Sequence, residues 1–455
     1  MSRENLKEKT ELARENVKEK AGLAKDSVKE RGGQAIGLAK TETARNSFIL
    51  FGGNFINALL SMVAVIIVSR ALGPHDFGVV AIFNTILGTM VGLTELGLST
   101  AAVKLISENL VNDRHHANVI MRVIFFLELG TGAVVALLGL LFSAPIANAL
   151  GGPHLLFAVR MGFVAGAVTS AAAFFGPFFA AHKQFVKNAL VNFSGSIFKT
   201  GAVLAMVAFS FLSLRHVIVA YTLTPILFFS IAYMFVPKGF HAKGTKQEEK
   251  EAVVEIFHFS KWIFLSYIST SVGGNMDTFL IAHYKGSAAV GIYTAGQQLV
   301  SVMPMIIGAI TTVILPKLTG LQTRAEYEKF LTKLIIGISG IALVLSPGII
   351  FGQIPIKLIF GSRFLESISI FKIFLGAYLI ILFPNIISVV LYARNRHRLI
   401  TYINYASLTA SLVAYVLLIP RFGAIGAATT FLIVNLISGI FMILFSFKSV
   451  RDMPA

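Results

Sequence analysis

A chain of 455 residues that is 55% hydrophobic and only 13% charged, with a mean hydropathy of +0.77, is excluded from the ordinary soluble proteins, whose charged share is about 25%. The absence of cysteine excludes disulfides, thiol catalysis and cysteine metal sites. The net charge of +17 points to acidic lipid head groups and membrane topology and needs no nucleic acid.

Residues 1–45 form a charged tail in eleven-residue repeats, ENLKEKTELAR, ENVKEKAGLAK and DSVKERGGQAI. A period of eleven is close to three helical turns, so Leu6, Val17 and Val28 share one thin apolar face. Such a face suits a helix lying on lipid or joining a partner helix. A solvated, partly disordered tail is the alternative, because Gly32 and Gly33 break the third repeat.

Twelve apolar segments long enough for a ~30 Å hydrocarbon core follow. They lie near 47–69, 77–103, 116–143, 155–181, 185–210, 214–236, 258–283, 288–316, 331–354, 365–392, 398–419 and 423–447. The chain therefore reads as an all-α integral membrane protein of twelve transmembrane helices. Its halves are an N-terminal six-helix lobe, 46–236, and a C-terminal one, 258–447, joined by a cytoplasmic linker, 237–257, and followed by a short tail, 448–455. Of the 39 Lys and Arg, 29 fall on the side of the N-terminus, six on the other and four inside spans. The positive-inside rule then puts both termini in the cytoplasm, in a cell membrane crossed many times. No cleavable signal pattern appears.

The halves repeat. The stretch over 66–104, IIVSRALGPHDFGVVAIFNTILGTMVGLTELGLSTAAVK, returns in outline in the second half as FLIAHYKGSAAVGIYTAGQQLVSVMPMIIGAITTVILPK, setting Gly73 on Gly286, Gly78 on Gly291 and Lys104 on Lys317. A weaker echo, one position out of that register, sets Asn192 on Asn404. Six spans per half give both halves one orientation, related by a pseudo-two-fold along the membrane normal, with a ligand path between them.

Polar residues recur at helical spacing. Asn54, Asn57 and Ser61 share a face in span one, and Asn84, Gly88, Glu95 and Ser99 in span two. Asn188, Asn192, Ser196 and Lys199 do so in span five, and Gln297, Ser301, Gly308 and Thr311 in span eight. These stripes fit either the walls of a water-filled cavity or close helix packing. In-span charges say more, since each costs about 2.5 to 3.5 kcal/mol at a span centre. Lys199 and Glu128 sit near mid-span, Arg160, Asp277 and Lys372 in the outer half, and Glu95 toward the cytoplasm. A transport role and a structural Lys199–Glu128 ion pair are the two readings. Arg122 and Lys261 lie close enough to span ends to snorkel.

No phosphate-binding loop, dinucleotide fingerprint or HExxH zinc helix occurs, and the ten histidines form no ligand set, so neither a metal nor a cofactor is expected. His115 and His116 fall in a cytoplasmic loop, where solvation is the simplest expectation. A membrane enzyme of polysaccharide assembly would need acidic residues in large outer loops, and only Asp76 and Glu366 are evident there.

The stretches SRALGPHDFGVVAIFNTILG and LTELGLSTAAVKLISE, with NMDTFLIAHYKGSAAVGIYTAGQQL and LLIPRFGAIGAATTFLIVNL in the second half, resemble the O-antigen-type polysaccharide flippases of the multidrug, oligosaccharidyl-lipid and polysaccharide exporter superfamily. The resemblance covers roughly residues 46–447. It implies two lobes in a V, a central cavity lined by spans one, two, seven and eight, and a transporter rather than an enzyme. The implied cargo is a polyprenyl-diphosphate-linked oligosaccharide, for cell-surface polysaccharide biosynthesis. Arg160, Lys199 and Lys372 could then meet the diphosphate, and Asn54, Asn84, Gln297 and Gln298 the sugar hydroxyls. Asp277, Glu95 and Glu128 become candidates for ion or proton coupling. Membrane lipids are implied partners, and polysaccharide-assembly enzymes are left open. The rival within the superfamily is an ion-coupled multidrug exporter.

Overall fold

The computed structural model describes residues 42–236, 240, 244–321, 323–394 and 396–452. The repeat tail over 1–41 and the side chain of Asn54 lie outside the described residues. Among those described there are helices and turns and no strand, as an apolar chain requires when its backbone must bond within itself in lipid.

Nine helices among the described residues are long and apolar enough to cross a membrane. The sequence suggests twelve segments, and the difference has a local cause. Three of the nine, Phe55–Thr94, Met276–Thr319 and Arg398–Arg451, hold 40, 44 and 54 residues, where about 20 suffice for one crossing. Each is bent at one glycine held at positive φ: Gly73 (φ 76°, ψ 177°), Gly286 (φ 77°, ψ 178°) and Gly423 (φ 58°, ψ −136°). Only a residue without Cβ takes these angles cheaply, so a single position replaces a loop. The Lys246–Gly273 helix falls outside the nine and carries Glu248, Glu249, Glu251 and Glu255 in its first turns.

The sequence echo between the halves is visible in the backbone. Gly73 and its counterpart Gly286 agree closely in both angles, and Ser210 (φ 57°) holds in the first half the place that Gly423 (φ 58°) holds in the second. Gly78 and Gly291 meet across the halves: a Cβ on Gly78 would strike the Ser287 carbonyl, and one on Gly291 would strike the Pro74 carbonyl. Pro74 and Ser287 are themselves counterparts in the same register, so the contact is reciprocal.

A second reciprocal pair braces the same end of the bundle. Arg70 donates to the carbonyls of Ile359 (2.8 Å) and Leu358, at the end of the Gln353–Ile359 helix. His283, the counterpart of Arg70, places Nδ1 2.5 Å from the carbonyl of Ala149, the end of the Ser143–Ala149 helix. Each half thus supplies a side chain to the exposed C-terminal carbonyls of the other's short helix, where a donor is favoured. This braced end is called distal below.

The apolar core follows the same plan. One cluster of buried residues joins the halves, from Ala64, Val68 and Phe83 to Val290, Tyr293 and Phe374. Two others are separate. One gathers Phe125, Phe174, Phe175, Phe178 and Phe179 of the first half, and the other Ile314, Leu318, Tyr327 and Leu382 of the second.

At the proximal end the acidic face of the Lys246–Gly273 helix docks on the start of the Arg114–Leu141 helix. His115 lies 3.4 Å from Glu248, His116 3.0 Å from Glu255, and Arg122 4.0 Å from Glu249. The two histidines are therefore paired and not simply solvated, because the linker's carboxylates fold into a helix that faces them. Asp113 caps the Arg114–Leu141 helix by accepting from the His115 and His116 amides. The His116 amide bond leads in holding the Asp113 carboxyl below its ordinary range. Glu248 is likewise lowered, first by the Thr245 backbone N–H.

Candidate functional site

Each half encloses a cavity, and the two are built from equivalent helices. In the first half the Phe185–Ala208 helix turns Asn188, Asn192, Gly195, Ser196 and Lys199 to one side, as their spacing of three and four requires. Thr169 from the Leu156–Ala173 helix and Thr224, Pro225 and Phe228 from the Leu214–Met234 helix complete a cavity of about 430 Å³. Lys199 is the one charge on its wall among the described residues. Its Nζ lies 4.0 Å from the centre of the Tyr221 ring. A ring face offsets part of the cost of a desolvated cation and leaves its N–H donors for an anion. Asn192 Nδ2 reaches the Asn188 carbonyl at 2.9 Å and its Oδ1 at 3.0 Å, which orders the wall below the lysine.

In the second half, residues from the Met276–Gln298, Ser367–Ile387 and His397–Arg451 helices line about 540 Å³. Asp277 is the one charge there, beside Gln297, Asn385, Thr401, Asn404, Ser411, Asn435 and Ser438. Its carboxylate is buried, accepting from Tyr293 Oη at 2.5 Å on one oxygen and from Thr278 N (2.6 Å) and Oγ1 (3.2 Å) on the other. In the register of the repeat Asn188 falls on Thr401, Asn192 on Tyr405, Gly195 on Leu408 and Pro225 on Ser438, while the weaker echo one position out sets Asn192 on Asn404 and Lys199 on Ser411.

The structure brings Lys199, Asp277 and Gln297 to these cavities and leaves other expected site residues elsewhere. Arg160 is exposed, with Nε 3.2 Å from Ser143 Oγ. Lys372 is half-buried on the Ser367–Ile387 helix. Asn84 is exposed on its helix, and Gln298 stands at a helix end whose carbonyl accepts from Ser301. Glu95 accepts the Ser99 amide at 3.1 Å. Glu128 is buried beside the Phe174 backbone with Glu95 as its charged neighbour. The expected Lys199–Glu128 ion pair does not form among the described residues: the lysine turns to Tyr221. Neither cavity is lined by Arg160, Lys372, Asn84, Gln298, Glu95 or Glu128.

Sequence reasoning does not single out Asn385, Asn404 and Asn435 as site residues. The signal lies in the spacing of Thr401, Asn404 and Ser411, and of Asn435 and Ser438, which repeats the stripe of span five.

Residues 43–322 match the family model described as polysaccharide biosynthesis protein. A putative O-antigen transporter of Shigella flexneri is 23% identical over 395 residues, 84% of this chain and 93% of the relative. A probable low-salt glycan biosynthesis flippase of Haloferax volcanii is 23% identical over 393 residues, covering 85% of this chain and 80% of that one. Among solved structures, the lipid II flippase MurJ in an inward closed conformation superposes with a TM-score of 0.67 at 13% identity, over 89% of this chain and 88% of that one. An inward-facing multidrug resistance MATE family transporter of the MOP superfamily superposes with a TM-score of 0.66 at 14% identity, over 87% and 94%. At these identities the structural likeness establishes the fold alone.

Proposed function

The chain belongs to the polysaccharide biosynthesis protein family, and on that premise we propose that it is a flippase carrying polyprenyl-diphosphate-linked oligosaccharide across the cytoplasmic membrane by alternating access. It is a transporter and not an enzyme. Nine long helices become twelve spans once Gly73, Gly286 and Gly423 are taken as turns and residues 276–285 complete the span begun at Lys246. The sequence echo and the Gly78–Gly291 contact support two six-helix lobes related by a pseudo-two-fold along the membrane normal. The 29 to 6 split of Lys and Arg makes the proximal end and both termini cytoplasmic. The lobes are braced distally and also meet proximally, where the Lys246–Gly273 helix packs on Gly92 and Gly97, so loading cargo from the cytoplasm would require this proximal contact to part.

The observation that carries this reading is Lys199. A cation near mid-span, on the wall of a cavity lined by no carboxylate among the described residues, is costly in lipid and suits a diphosphate. Arg160 and Lys372, each in the outer half of its span, would receive the anion as the lobes exchange faces. Asn54, Asn84, Gln297 and Gln298 would serve the sugar hydroxyls. Asp277, Glu95 and Glu128 would couple the cycle to an ion or proton gradient. A drug-cation exporter would draw on Asp277, but it gives no use for Lys199. Lys199→Ala should abolish transport while expression and monodispersity hold, and Lys199→Arg should restore part of it. Equal loss of folded protein in both variants would return Lys199 to a structural role.

A further inference from the structure

The geometry points to the second-half cavity as a carbohydrate subsite that takes a neutral saccharide unit of the cargo apart from its diphosphate, an inference resting on the flippase reading. The charge balance of the two cavities separates the cargo's parts. Among the described residues no Lys, Arg or His lines the second cavity, and Asp277 faces into it, so a phosphate is repelled there and held at Lys199 in the first.

What the second cavity offers is neutral and directional. Gln297, Asn385, Asn404 and Asn435 bring four side-chain amides to one space of about 540 Å³, within the ~300–1,000 Å³ common for small-molecule sites. Asn385 and Asn435 donate Nδ2 to the carbonyls of Ile381 (3.1 Å) and Phe431 (2.8 Å) one turn back. That bond fixes each amide plane and leaves Oδ1 to accept from a hydroxyl. Tyr415 and Phe431 add apolar ring surface, which suits the C–H face of a pyranose. The three donors already bonded to Asp277 are neutral, so they occupy its lone pairs without cancelling a negative charge and leave room for one further hydroxyl. Fixed amides of this kind discriminate, because a ligand lacking the matching hydroxyl leaves them unpaired.

The test uses the full chain in detergent and native mass spectrometry with three probes: polyprenyl diphosphate without sugar, the same lipid carrying N-acetylglucosamine or galactose, and tetraphenylphosphonium. Wild type should retain a sugar-bearing lipid about tenfold better than the bare one. The double variant Asn404→Leu/Asn435→Leu should bring that ratio near one without weakening the bare lipid, whereas Lys199→Ala should weaken all the lipids together. Asn435→Asp, nearly isosteric, should lower the same ratio and guards against misfolding of the double variant. An unchanged ratio in both variants overturns the subsite while the flippase reading stands. Failure of wild type to hold any of these lipids overturns both. Tetraphenylphosphonium held by wild type and released by Asp277→Asn assigns the cavity to organic cations and overturns the subsite alone.

Discussion

The first-half cavity and the second-half cavity occupy equivalent places in the repeat and carry opposite charge: Lys199 in one, Asp277 in the other. Their supports differ as well. Lys199 rests on a ring face that leaves its donors free, whereas Asp277 is bonded to Tyr293 and Thr278. The difference teaches that the repeat keeps helix positions while the side chain at the cavity wall is free to change, so a duplicated fold can divide one amphipathic cargo between two unlike sites.

Removing either charge breaks this contrast, and the largest effect belongs to the lysine. Lys199→Ala should abolish lipid-linked sugar transport at unchanged expression, since it removes the one cation that lines this cavity among the described residues. Asp277→Asn should be milder in rate but should remove the dependence of transport on an imposed ion or proton gradient. A gradient response equal to wild type would reject that coupling role. Next come the contacts that let the halves meet. Gly78→Val drives a side chain into the Ser287 carbonyl and should destabilise by about 1–3 kcal/mol, as should Gly291→Val against Pro74, read as a lower melting temperature in detergent.

Arg70→Ala and His283→Ala remove one brace each and should loosen the distal end with little effect on folding. Because the chain has no cysteine, a spin-label pair at Asn148→Cys and Lys357→Cys would report the distal distance directly, broadened in either variant. The smallest effect concerns pH. Asp113 and Glu248 are held below their ordinary values by backbone N–H bonds, so their contribution is present above the unfolded-state carboxylate range and is lost as pH falls through the lowered values. Protection of the amides at the start of the Lys246–Gly273 helix, taken relative to their intrinsic exchange rate at each pH, should therefore hold at neutral pH and fall only in acid.

Much of this architecture is legible in the sequence. Apolar length marks the spans, and Gly73, Gly78, Gly286 and Gly291 mark the repeat because their backbone roles admit no other residue. Lys199 and Asp277 stand out because charge in lipid is costly. What escapes is pairing. The contact of Lys199 with Tyr221, on the next long helix, depends on how two helices cross, which periodicity does not encode. The His115 and His116 partners lie across a linker whose polar composition resembles a loop until its carboxylates fold onto one helix face. Asn385 and Asn435 are hidden because their amides also bond their own helix, so that in sequence they look like ordinary packing residues.

The most direct measurement of the central claim is native mass spectrometry of the full chain extracted gently from its own membrane, with the co-purifying lipid identified by mass. The account predicts a polyprenyl diphosphate bearing sugar, bound by wild type and lost from Lys199→Ala. Repeated preparations that retain bulk phospholipid and never a polyprenyl-diphosphate sugar would contradict it.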